Sequence, residues 1–255
     1  MITSTRAKQF GMIATITLTF IVFQNYMNKW IYQLSFRLYP IYQTLDPDNA
    51  FIYLYLHHIL QAFLFIALIY IIKKQFSLTW KDFGLSFANY KTSVIYTLCF
   101  VALWAILQFC IGYLMVTHGT EVTLSYPLNF RNVTGYFLFE ILLTGTSEEL
   151  FFRGLVIAVL MLIMKRFSTS VKTANVIAIL LSTVIFMAGH INFEILPFRI
   201  TYIDGLQQLT AFLVGIFYGY LFLKTKSLLG PILAHNLING VVTLYSLIFL
   251  QISQK

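Results

Sequence analysis

Charge is scarce in this sequence. Only 10% of its 255 residues are charged while 59% are hydrophobic, against roughly a quarter charged in an ordinary soluble domain. A water-soluble fold cannot bury that much apolar surface, so the shortage excludes one. Cysteine is nearly absent. Cys99 and Cys110 lie inside one apolar run without C-x-x-C spacing, which excludes a disulfide framework and leaves lipid-facing or packed thiols. No small-x-small cleavage site follows the stretch Gly11 to Phe23, so it is expected to stay as a first span although Arg6 and Lys8 precede it as in a signal peptide. Neither H-E-x-x-H nor G-x-S-x-G occurs, which weakens the motif-level case for zinc and for a serine nucleophile. Internal repeats and low-complexity segments are missing too, and an inverted-repeat transporter gains no support. The net charge of +8 comes from basic residues scattered between apolar runs, not gathered into a stripe, so nucleic acid is not an expected partner.

What is present is a series of apolar runs, several of which reach the roughly 20 residues needed to cross about 30 Å of hydrocarbon. They predict spans near 10–27, 51–72, 93–116, 134–164, 174–193, 206–223 and 228–249. The fold class is therefore an all-α polytopic transmembrane helical bundle of about seven spans, forming a single integral membrane domain over 1–255. The segment Asn28 to Ala50, with the turn signal Asp46-Pro47-Asp48, is expected as an interfacial loop. Gly215 and Gly219 form a G-x-x-x-G that predicts close helix packing.

Lysine and arginine alternate between successive connections. They are in excess at the N-terminus (Arg6, Lys8), around 73–91, around 165–172 and at 224–226, and are matched by acids in the links between. Cytoplasmic loops hold the excess, so the N-terminus is expected to be cytoplasmic in a multi-pass protein of the cell membrane.

A charge near the bilayer centre costs about 2.5–3.5 kcal/mol on insertion scales, which makes each one a candidate for function. Four charges fall inside predicted spans, all on the fourth: Glu140, Glu148, Glu149 and Arg153. Glu149 and Arg153 are four apart and share a helix face, whereas Glu148 points about 100° away. Glu149 can pair with Arg153, and Glu148 is left without a local counter-ion as a candidate general base. Ser147 fits an N-cap after a break at Thr144-Gly145-Thr146. Phe186-Met187-Ala188-Gly189-His190 ends the fifth span, and the seventh carries His235 and Asn239 on one face. His57 and His58 read as packed, hydrogen-bonded residues. Glu148, His190, His235 and Asn239 match water-mediated hydrolysis of an acyl bond. Equally, Glu148, His190 and His235 could hold a divalent metal such as zinc with a position open for water. The residues by themselves leave both open.

Glu148-Glu149-x-x-x-Arg153, Phe186-x-x-x-His190 and His235-x-x-x-Asn239, in this order on separate spans, resemble the three signature motifs of the CPBP family of intramembrane proteases. That family includes the CAAX prenyl endopeptidases and bacterial proteins linked to bacteriocin processing and self-immunity. The resemblance covers about Gly145 to Val241 and extends to Phe152-Arg153-Gly154 and Gly230-Pro231-Ile232-Leu233-Ala234. It implies an intramembrane endopeptidase with a protease core at 134–249, acting on a peptide or protein substrate among membrane lipid. In such an enzyme Glu148 activates water, His190 and His235 assist, and Asn239 helps hold the oxyanion. Glu149 and Arg153 support the site and Phe186 packs beside it. Residues 1–130 supply spans of unknown role. Two competing expectations are a non-catalytic immunity or scaffold protein that binds a peptide partner, and a transporter or channel.

One conflict stands within these expectations. His190 falls near the outer end of its span and His235 near the inner end of its own, depths that differ by roughly 10 Å on straight helices.

Overall fold

A computed structural model describes residues 2–253. Its helices follow the apolar runs, and their ends follow caps and breakers. α1 (Ile2–Arg37) continues well past the predicted limit of 27, because no Gly or Pro occurs between Gly11 and Pro40 to stop it. The expected loop from Asn28 to Ala50 is accordingly much shorter. It holds a single turn, α2 (Tyr39–Tyr42), with Pro40 at its start. Asp46 serves as more than a turn residue. Its carboxylate accepts the backbone N–H groups of Ala50, Phe51 and Ile52 at 2.8, 2.9 and 2.8 Å, satisfying donors at the start of α3 (Ile52–Gln75).

α4 (Tyr90–Thr117) follows, with Cys99 and Cys110 both exposed on its outside. The helix over residues 130–166, here α5, is unbroken but not uniform. Two π-helical stretches, Glu140–Thr144 and Leu150–Ile157, flank the α-helical turn Gly145–Glu149. The predicted break at Thr144–Thr146 is thus a widening of the helix, and Ser147 is a buried interior residue, not an N-cap. α6 (Val171–Ala188) begins at Ser170, whose hydroxyl accepts the N–H of Thr173 at 3.2 Å. It ends earlier than the predicted 193, and the chain turns into an antiparallel hairpin, β1 (Asn192–Ile195) with β2 (Phe198–Tyr202). α7 (Gly205–Thr225), capped by Asp204, and α8 (Leu229–Ser253) complete the chain.

α1, α3, α4, α6, α7 and α8 are each long and apolar enough to cross a membrane. With α5 packed among them, they form an all-α polytopic helical bundle with six candidate membrane spans among the described residues, against the about seven expected. α5 is the central element, and every residue from Leu150 to Ala158 is buried. Thr183 and Ile179 of α6 fit against Gly215 and Gly219 of α7, where a Cβ would meet Thr183 Cγ2 at 2.8 Å and Ile179 Cγ1 at 3.3 Å.

Alternating crossings sort the links into two ends. At one end, Leu228 N–H donates to the Gly84 carbonyl at 2.8 Å, Ser86 Oγ to the Lys226 carbonyl at 2.9 Å and Gln9 to Thr169 at 2.7 Å. At the other, Lys29 Nζ donates to the Phe193 carbonyl at 2.6 Å, and Asn132 Nδ2 to Asp48 at 2.9 Å. The hairpin and the 118–129 link lie at this second end.

Candidate active site

The site is built outward from a buried ion pair. Arg153 Nη1 donates to Glu149 Oε1 at 3.0 Å, and both side chains are 0% exposed. The four-residue spacing brings the charges together, so neither stands alone in a medium where an isolated ion costs several kcal/mol. Arg153 also donates from Nη2 to the Gly215 carbonyl at 3.2 Å. Its guanidinium lies over Phe186, Tyr218 and Phe152, 4.8, 5.1 and 5.6 Å from the ring centroids, a cation–π enclosure. Glu149 Oε1 then meets His235 Nδ1 at 2.8 Å. With Nδ1–H donating to that carboxylate, the Nε2 lone pair is turned outward. Tyr218 stacks on the imidazole at 5.3 Å, so α5, α7 and α8 all hold the ring.

Nε2 of His235 faces Glu148 Oε2 at 3.9 Å, too far for a direct hydrogen bond and a spacing that one bridging water fits. Glu148 makes no ion pair with Arg153; its side chain, 21% exposed, borders open space. That space is a cavity of about 390 Å³ lined by Glu148, His190, His235 and Asn239, and also by Thr123–Tyr126 and Gln207, of which Thr123, Ser125 and Gln207 are exposed. The structure brings these four side chains to one cavity. His190 reaches it because its Nδ1 bonds to the Phe186 carbonyl at 2.9 Å, folding the ring back along the helix axis. Phe186 bridges the remaining depth, its ring 4.7 Å from His190 and 5.8 Å from His235. The expected 10 Å conflict is closed by side chains and an early end to α6, not by a change in crossing order.

The family model described as type II CAAX prenyl endopeptidase Rce1-like matches residues 130–241. Over that stretch the chain is similar to the Rce1-like proteins, consistent with a CPBP-type intramembrane protease. No curated protein and no solved structure matches the chain. The Rce1-like stretch starts at the first residue of α5 and ends within α8, so it contains all three motifs, while α1 to α4 lie outside it.

Within the Rce1-like stretch, sequence reasoning missed partners that depend on helix phase. Glu140 was noted only as a charge inside a span. In the structure its Oε2 accepts from Asn239 Nδ2 and from Thr144 Oγ1, both at 2.9 Å, and it lines the cavity. The π turn at 140–144 lengthens the repeat so that 140, 144 and 148 share the cavity face. Asn236 was also overlooked: its Oδ1 accepts the Gly145 backbone N–H at 2.7 Å, and a Cβ on Gly145 would meet His235 Cβ at 2.6 Å. The available signal was the glycine beside the acidic pair, which marks close approach by another helix.

Outside that stretch, α1 and α3 supply a polar chain behind Glu148. His58 Nδ1 bonds to Ser147 Oγ at 2.6 Å, Ser147 donates to Gln61 Oε1 at 2.9 Å, and Gln61 Nε2 to Asn28 Oδ1 at 2.9 Å. His57 stacks on Tyr32 at 3.7 Å. Both histidines are packed, and with Gln24, Asn25 and Lys29 they line a second cavity of about 290 Å³ that also reaches Glu148 and His190.

As a metal site the arrangement is a poor fit. Among the described residues no three His, Cys, Asp or Glu side chains converge as ligands. The Nδ1 atoms of both His190 and His235 bond to protein acceptors, which leaves only their Nε2 atoms available, and Glu148, His190 and His235 do not group as a ligand set. No step below is routed through an ion.

Proposed function

We propose that this protein is a glutamate-dependent intramembrane endopeptidase, in which Glu148 activates a water that attacks a peptide carbonyl. The observation that carries this reading is the 3.9 Å gap between Glu148 Oε2 and His235 Nε2 at the wall of a cavity inside the bundle. A water in that gap gives its proton to the Glu148 carboxylate as its oxygen bonds to the scissile carbonyl carbon. The carbonyl oxygen becomes an oxyanion, met by the second Nδ2 hydrogen of Asn239, whose first is held by Glu140. Collapse breaks the C–N bond, and the proton on Glu148 passes to the leaving amine. His235, steadied by Glu149 and Arg153, orients the water, and His190 closes the opposite wall. The match to a prenyl endopeptidase family supports peptide hydrolysis. The hydroxyl and amide lining from Thr123, Ser125, Gln207, Thr243 and Ser246 suits a peptide main chain better than an isoprenoid.

The test is cleavage of a pool of membrane-associated peptides by detergent-purified wild type and Glu148→Gln, with and without chelator. Wild type should cleave in both conditions, and the variant should lose about 10²–10⁴-fold, the usual contribution of a general base. Equal cleavage by both proteins would assign the activity to other residues. Loss on chelation would restore a metal to the mechanism.

A further inference from the structure

The exposed polar residues that line the site cavity, Thr123, Ser125 and Gln207, lie at one end of the bundle, and the sequence charges distinguish the two ends. The cavity's mouth lies at Thr123 to Tyr126 of the link between α4 and α5, with Gln207 at the start of α7 and Ser246 late in α8. The second cavity, behind Glu148, is bordered by Lys29, Ile191 and Asn192, which belong to the same end. A third cavity, of about 700 Å³, lies at the opposite end against Lys81, Lys165 and Lys226, and it shares no residue with the site.

The three links at that opposite end are the ones in which basic residues run in excess. Lys73, Lys74, Lys81 and Lys91 surround the first; Lys165, Arg166 and Lys172 the second; Lys224 and Lys226 the third. Arg6 and Lys8 begin α1 beside them, as the bond between Gln9 and Thr169 requires. Asp82 is the sole acid there. At the mouth end, Lys29, Arg37, Arg131 and Arg199 are offset by Asp46, Asp48, Glu121, Glu194 and Asp204. Short loops rich in Lys and Arg stay on the cytoplasmic side during insertion, and the anionic cytoplasmic leaflet holds them there. Neither the three motifs nor the charges alone yield a direction for the site. Their combination does, because the fold assigns each charged link and the cavity mouth to an end.

We propose that the active-site cavity opens on the non-cytoplasmic face of the membrane and takes a polypeptide presented from outside the cytoplasm. The substrate part of this inference rests on the endopeptidase reading; the orientation part does not. In this arrangement a cytoplasmic C-terminal tail would meet the basic end, where Gly84 and Ser86 bond to Leu228 and Lys226 and where the nearby cavity shares no lining residue with the site.

The experiment begins with a background in which Cys99 and Cys110 are replaced by serine, carrying either Ser125→Cys at the mouth or Gln75→Cys at the basic end. Both positions are exposed. Intact cells expressing each variant are treated with a membrane-impermeant maleimide, before and after permeabilisation. Ser125→Cys should label at once, and Gln75→Cys only after permeabilisation. The reverse pattern, or labelling of both in intact cells, overturns the orientation. This readout needs no catalysis. In a second arm, a peptide cleaved by the purified enzyme is added outside sealed cells. Cleavage by cells with wild type and its loss with Glu148→Gln support external presentation; cleavage only after permeabilisation overturns it. If the purified protein cleaves nothing while labelling follows the expected pattern, the peptidase reading fails and the orientation stands.

Discussion

Glu149 carries two bonds on one oxygen, from Arg153 Nη1 and from His235 Nδ1, and all three side chains are buried. On the proposed mechanism, Arg153 is a positioning residue that acts through Glu149 on the imidazole. Removing one member of a buried pair leaves the other charge uncompensated, at about 3–5 kcal/mol. Arg153→Met should therefore lower the unfolding midpoint in detergent far more than Arg153→Met combined with Glu149→Gln, which removes both charges. Equal destabilisation by the single and double variants would show that the pair is not coupled. Both variants should lose cleavage, because neither keeps the Arg153–Glu149 pair that steadies His235.

At the scale of elements, α5 is a helix widened twice, on either side of the turn that holds the acidic pair. A π stretch changes which residues share a face, which is how Glu140 reaches Asn239 and Gly145 N–H reaches Asn236. Close approach of α8 depends on the bare Cα of Gly145. In Gly145→Ala the new methyl would meet His235 Cβ at 2.6 Å and Asn236 Oδ1 at 2.7 Å, so α8 must shift, and a displacement near 1 Å at a catalytic centre can cost about 10²-fold in rate. We expect kcat to fall on that scale while the protein still purifies as a folded, monodisperse species. Unchanged kcat would mean that the α5–α8 approach is not what sets the catalytic geometry.

The whole molecule is stitched at its mouth end by Asp48, which joins the link before α3 to the start of α5. Asn132, Asn129 and Arg131 all bond to it. The bond from Asn132 foremost, then Asn129 and the Arg131 charge, holds this carboxyl below its usual range. A depressed folded value adds stability that is complete above the unfolded pKa, about 3.8, and is lost as pH falls through the lower folded value. Wild type should accordingly lose thermal stability below about pH 3.8, and Asp48→Asn should lose less over the same interval. Superimposable pH profiles for the two would remove Asp48 from the account.

Much of this protein follows from its sequence because the hydrocarbon solvent imposes strict rules. A backbone without water must satisfy its own hydrogen bonds, so the apolar runs became helices and a polytopic all-α bundle could be read in advance. Local spacing was enough to pair Glu149 with Arg153 and to leave Glu148 apart, since both follow from the helix repeat within one segment. The extension of α1 to Arg37 was readable in principle, from the lack of a breaker before Pro40. Tertiary structure alone decided what depends on distant segments and on helix phase: the π stretches that turn Glu140 inward, the polar chain from Asn28 to His58 behind the site, and the meeting of His190 with His235 across Phe186. It also decided the direction in which the cavity opens. A link's charge is written in the sequence, but the end of the bundle that shares it with the cavity mouth is fixed only when the helices pack.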